Sequence, residues 1–112
     1  MTIHTNHTIT INGRAYIKSL QLGVNAKLFI NQAAELVING YNPVTSAAAN
    51  IDGSCTNNGK FIIKNSAQEG LQVGGIVNNV TGQIMIQQVN LNGIRILPSG
   101  KFDNKSNVDI KH

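Results

Sequence analysis

The segment Cys55-Thr56-Asn57-Asn58-Gly59-Lys60-Phe61-Ile62-Ile63-Lys64 recurs in degraded form along the whole chain, and this recurrence limits the possible folds more than any other feature. Asn58-Gly59 supplies the positive φ angles of a tight turn. In the strand that follows, Phe61 and Ile63 face one side while Lys60, Ile62 and Lys64 face the other. The copies are Ile3-His4-Thr5-Asn6 leading to Ile9-Thr10-Ile11, Phe29-Ile30-Asn31 leading to Leu36-Val37-Ile38, Val77-Asn78-Asn79 leading to Ile84-Met85-Ile86, and Phe102-Asp103-Asn104 leading to Val108-Asp109-Ile110. The second apolar residue of each strand serves as a marker, giving Ile11, Ile38, Ile63, Ile86 and Ile110, spaced 27, 25, 23 and 24 residues apart. Such a period belongs to solenoids and other repeat arrays. A unit this short cannot bury its own apolar face, so the copies must stack.

Each repeat reads as three short strands. Leu20-Gln21-Leu22-Gly23 has counterparts in Leu71-Gln72-Val73-Gly74 and Ile94-Arg95-Ile96, with Leu20 and Leu22 facing inward. A third strand falls at Ala26 to Ile30, Asn50 to Thr56, Gly75 to Asn78 and Lys101 to Asp103. Three strands separated by Gly or Asn corners describe a coil with three faces. The predicted fold is therefore all-β: a parallel β-helix, or β-solenoid, of about five coils forming one domain over residues 1–112, right-handed by the crossover rule. In that register the marker isoleucines form an inward ladder, and Asn12, Asn39, Lys64, Gln87 and Lys111 form an outward one. Asn6, Asn31, Asn58, Asn79 and Asn104 form a corner ladder of stacked amides. An antiparallel β-sandwich also accommodates many short strands, but gives no reason for the same residues to return at the same place.

The repeat is interrupted at residues 40–50, where Asn42-Pro43 signals a loop and Ala47-Ala48-Ala49 suits a brief helix or a narrow strand. This stretch is predicted to loop out from one corner. Tyr41, Asn42, Thr45 and Ser46 then become candidate ligand contacts, an exposed tyrosine beside amides and hydroxyls being suited to sugar.

Composition narrows the remaining chemistry. Charged residues make up 12% of the chain, about half the usual share. The formal charge of +4 comes from basic residues spread along the sequence, with no basic run of the kind that marks a nucleic-acid arm. Aromatics at 4% leave no stacking platform for single strands, so no nucleic-acid partner is expected. Attraction to acidic polysaccharide or a membrane surface remains compatible with the charge. No apolar stretch reaches membrane-spanning length, so no insertion is expected, and Met1-Thr2-Ile3-His4 shows no signal peptide. Cys55 is the sole cysteine, which rules out an intramolecular disulfide, and is read as a buried apolar filler.

The acidic residues Glu35, Asp52, Glu69, Asp103 and Asp109 fall at different coil positions, unlike the clustered carboxylates of glycosidases and polysaccharide lyases. His4 and His7 lie in a turn and strand with no evident third ligand, and His112 is terminal, so no metal or other cofactor is expected. Phosphate-loop and calcium β-roll motifs are absent, and the Thr8/Thr10 pair of ice-binding type is not repeated.

Thr10-Ile11-Asn12-Gly13, Ile17-Lys18-Ser19-Leu20 and the stretch from Leu28 to Asn39 resemble the Asn- and Gly-rich β-solenoid segments of secreted and surface proteins of bacteria, adhesin-like and of the Bacteroidetes type. The resemblance implies a right-handed β-helix used as a stalk, spacer or adhesive surface; the expected location is secreted or at the cell surface, as part of a longer exported protein, with the cytoplasm as the alternative. The similarity to bactofilins, small polymerising β-helices, is weaker because the regular Gly-x-Ile spacing is missing. The expected function is a non-enzymatic structural or adhesive module touching glycan or matrix. The alternatives are a β-helix that stacks end to end with copies of itself and, further off, a small carbohydrate-active enzyme.

Overall fold

The computed structural model describes residues 1–111 and contains fifteen strands and no helix. Coil 1 is β1 (Thr2–Ile3), β2 (Thr8–Ile11) and β3 (Arg14–Ile17); coil 2 is β4 (Leu20–Leu22), β5 (Lys27–Ile30) and β6 (Glu35–Asn39). Coil 3 is β7 (Ala47–Ile51), β8 (Ser54–Asn57) and β9 (Lys60–Ser66). Coil 4 is β10 (Glu69–Val73), β11 (Ile76–Asn79) and β12 (Gln83–Val89), and coil 5 is β13 (Ile94–Ile96), β14 (Lys101–Asn104) and β15 (Asn107–Lys111). Each strand pairs with the strand three places on, which makes three five-stranded sheets: A (β1-β4-β7-β10-β13), B (β2-β5-β8-β11-β14) and C (β3-β6-β9-β12-β15). Every strand pair is parallel; the antiparallel bridge Asn42↔Ala47 lies outside the sheets. This is a parallel β-solenoid of five coils, not a sandwich.

Alternation of apolar and polar residues explains why these segments are strands and which face is buried. In β9, Phe61 and Ile63 are fully buried while Ile62 and Lys64 are only half-buried. The inward residues stack by type along the axis. Ala15, Leu36, Phe61, Ile84 and Val108 form one ladder, and Ile17, Ile38, Ile63, Ile86 and Ile110 form the next. In sheet A, Leu20, Leu71 and Ile94 are in register, as the paired sequence segments predict, and Ala49 fills the coil between Leu20 and Leu71.

The corners are tight because neighbouring backbones touch there. A Cβ on Gly75 would lie 2.0 Å from the Gly53 carbonyl oxygen, so only glycine fits. At another corner Asn65 and Gln88 adopt φ of 60° and 57° at equivalent places, one residue past the registered pair Lys64↔Gln87, and bend β9 and β12 toward the next face.

Two sequence expectations are corrected here. Ile11 does not stand in the ladder of Ile38, Ile63, Ile86 and Ile110; it pairs with Ile30 in sheet B, and Ile17 fills the first-coil position. Asn12, which follows Ile11, leaves the outward ladder with it, and the register there runs Asn39, Lys64, Gln87, Lys111. The loop-out is also shorter than 40–50. Ala47–Ile51 is a buried central strand of sheet A, paired on both sides with β4 and β10, and the loop covers 40–46.

Candidate functional site

The 40–46 loop brings Asn42, Thr45 and Ser46 together in one turn. The Asn42 side chain accepts from Val44 N at 2.9 Å, its backbone N donates to the Ala47 carbonyl at 3.0 Å, and its carbonyl accepts from Ser46 N at 2.8 Å and Thr45 Oγ1 at 3.4 Å. Ser46, at φ 58°, then accepts from Glu69 N at 3.0 Å through its carbonyl, tying the loop to coil 4. These polar groups hold the turn in shape. Tyr41 is half-buried instead of exposed, and the group presented at the tip is Val44, 90% exposed.

The asparagine ladder is real but offset. Its members are Asn57, Asn79 and Asn104, not Asn58 and Asn31. Asn57 Nδ2 donates to Asn79 Oδ1 at 3.0 Å and Asn79 Nδ2 to Asn104 Oδ1 at 2.8 Å, with Asn57 and Asn79 fully buried. Further bonds complete the set: Asn57 and Asn79 Nδ2 also reach the Gln83 and Asn107 carbonyls, and Gly59 N donates to Asn57 Oδ1. A buried amide row of this kind is tolerated because nearly all of its donors and acceptors are paired. Asn58 is displaced to the corner surface, where it accepts from Thr81 Oγ1 at 3.0 Å, and the exposed Asn31 donates to Asn12. Below Asn57 the ladder continues as Ile30 and Ile11, so an apolar row and an amide row meet within the chain. Asn6 takes φ 68° in the first corner, outside that row.

The carboxylates occupy separate places. Glu35 faces Arg14 at 3.6 Å, Asp103 faces Lys105 at 3.9 Å and Asp109 faces Lys111 at 3.7 Å. Asp52 accepts from Gln21 and Asn50, and the buried Glu69 accepts from Asn92 N at 2.8 Å while lying 3.8 Å from Arg95. Among the described residues no three His, Cys, Asp or Glu gather as a metal site. The His4 and His7 rings meet edge to face at 6.2 Å, and His112 lies outside the described residues. Cys55 is fully buried in the core, and desolvation pushes its thiol up to about 12, which keeps it protonated and unreactive at neutral pH.

Two surfaces emerge from the register: the open ends on which the end-to-end alternative rests, and a face that only the register brings together. One is the pair of end coils. At the first, Ile9 is 39% exposed and Ile11, Ala15 and Ile17 are half-buried; at the last, Ile96 and Ile110 are 51% and 40% exposed and Ile94, Phe102 and Val108 half-buried. Edge strands β1, β2 and β3 at one end, and β13, β14 and β15 at the other, carry unpaired backbone groups on their outer side.

The other surface is the outer face of sheet C. Its centre is the registered column Tyr16, Val37, Ile62, Met85, Asp109, flanked by Arg14, Glu35, Lys60, Gln83, Asn107 on one side and Asn39, Lys64, Gln87, Lys111 on the other. The outer face of sheet A differs: Gln21, Asn50 and Gln72 bond one another along the axis at 2.8 and 3.2 Å. These features define a three-sheet β-solenoid with amide-rich faces and open apolar ends. No family model, curated protein or solved structure matches the chain.

Proposed function

We propose that this chain is a non-enzymatic structural β-solenoid whose end coils each receive a further coil, so that copies stack end to end into a rod or stalk. The observation that supports this reading is the match between the two ends. Placing the last coil of one copy one strand spacing, about 4.8 Å, from the first coil of the next continues every inward ladder. Ile96 then meets Ile3, Phe102 meets Ile9, Val108 meets Ala15 and Ile110 meets Ile17. Asn104 meets Ile11, the reverse of the step from Ile30 to Asn57, with the Asn104 side-chain Nδ2 donating to the Ser106 carbonyl at 3.4 Å. Parallel pairing requires head-to-tail contact, and a head-to-tail interface that does not close gives filaments.

Sedimentation velocity over a wide concentration range tests this. The chain is expected to grow reversibly into dimers and longer species. Ile9→Lys blocks the first coil and Ile110→Lys the last. Each variant alone should stay monomeric, while a mixture of the two should form dimers and stop there. A wild-type monomer at all concentrations overturns stacking; dimerisation of either variant by itself overturns its head-to-tail sense.

A further inference from the structure

We infer that the outer face of sheet C binds a linear polysaccharide carrying one carboxylate per disaccharide, laid along the solenoid axis. Lys18 follows Ile17 as Asn39 follows its partner Ile38, so the flanking column reads Lys18, Asn39, Lys64, Gln87, Lys111. Cation and amide alternate. Cations therefore recur every second coil, roughly 9–10 Å apart at the parallel strand spacing, a distance close to the length of one disaccharide. The amides between them can bond sugar hydroxyls.

The charges on this face do not cancel. Its acids are Glu35, held by Arg14, and Asp109, held by Lys111, whereas among the described residues Lys18, Lys60 and Lys64 form no salt bridge. Against five cations there are two carboxylates, so most of the chain's +4 lies on one of its three faces. Between the flanks runs the apolar column. Tyr16 is 64% exposed and offers its ring to a sugar face, while Val37 is 3% exposed and Ile62 and Met85 are half-buried. Along the other flank runs a groove of about 460 Å³ lined by Gly59 and Gly82 and edged by Glu35, Lys60, Gln83 and Asn107, with Glu35 neutralised by Arg14, which gives a linear chain lateral walls.

The same geometry disfavours other polyanions. A nucleic-acid strand carries a charge about every 3.4 Å, much denser than this column, and Tyr16 is the only ring on the registered face. A bilayer needs protruding apolar groups, whereas the column here is recessed at Val37.

The test is titration calorimetry of the full chain at low salt with hyaluronate oligosaccharides, which bear one carboxylate per disaccharide. Dextran, poly(dT) and anionic vesicles serve as competing probes. Hyaluronate is expected to bind with an affinity that falls as salt rises. Lys64→Gln with Lys111→Gln should weaken binding at least tenfold, while Lys27→Gln with Lys101→Gln on sheet B leaves it unchanged. Absence of hyaluronate binding, equal losses in both double variants, or tighter binding of dextran, poly(dT) or vesicles would each overturn the inference. It stands independently of stacking, since the face exists on a single copy.

Discussion

The middle coils and the end coils are built from the same repeat yet sit in different environments. In coil 3, Phe61 and Ile63 are fully buried and each strand is paired on both sides. In coil 5, their ladder partners Val108 and Ile110 keep one side open, and Ile110 is 40% exposed. Identical side chains therefore contribute unequally, because burial in a solenoid is supplied by the neighbouring coils and not by the repeat itself. Stability should be concentrated in the centre and capacity for association at the ends.

The largest test of this contrast is a matched pair of truncations. Phe61→Ala empties a fully enclosed site and is expected to cost about 4 kcal/mol in urea unfolding of dilute protein. Phe102→Ala, in the half-buried end position, should cost only about 1 kcal/mol. At concentrations where copies stack, the Phe102 penalty should rise toward that of Phe61. Equal costs in dilute protein would mean the ends are as well packed as the centre.

Backbone packing gives the next contrast. Gly75→Ala, whose Cβ would sit 2.0 Å from the Gly53 carbonyl oxygen and 2.6 Å from that of Asp52, is expected to destabilise by about 3 kcal/mol by forcing the corner apart. Gly13→Ala in coil 1 meets nothing within 4 Å and should leave stability within about 0.5 kcal/mol of wild type. A comparison of thermal midpoints reads both. A large loss at Gly13 would show a covered first coil.

These contrasts also show what was legible in the sequence. The period, the three strands per coil and the inward sense of Leu20, Leu22, Ile38, Ile63 and Ile86 follow from alternation, which survives because each inward side chain meets another apolar one. Ile11 and Ile17 exposed the limit of that pattern. Both end a short strand in coil 1, and only the pairing of Ile17 with Ile38 decides which ladder each joins. Asn57 and Asn58 posed the same problem, since adjacent identical residues differ only in which one the corner turns inward. Ala47–Ala49 suits either a brief helix or a narrow strand by sequence, because alanines lack the bulk that marks a core strand, and its pairing in sheet A decides for the strand. The sheet C surface was hidden for a related reason: Tyr16, Val37, Ile62 and Met85 are scattered in sequence and become a column only once the register is known.

The amide ladder runs from the centre to an end and so samples both environments in one row. Asn79 is fully buried, donates to Asn104 Oδ1 and to the Asn107 carbonyl, and accepts from Asn57 Nδ2. Asn79→Ala removes the row's middle, taking an acceptor from the Nδ2 of the fully buried Asn57 and a donor from the Asn107 carbonyl, which should cost about 2 kcal/mol. Asn104→Ala touches the same row at its exposed end, where water can replace the lost acceptor, and should cost about 0.5 kcal/mol. Urea unfolding of the two single variants and the double variant checks this. Because both substitutions remove the Asn79–Asn104 bond, the double variant should cost less than the two added together. Simple additivity would mean that the bond carries no net stability, and that the asparagines are retained for shape at the corner instead.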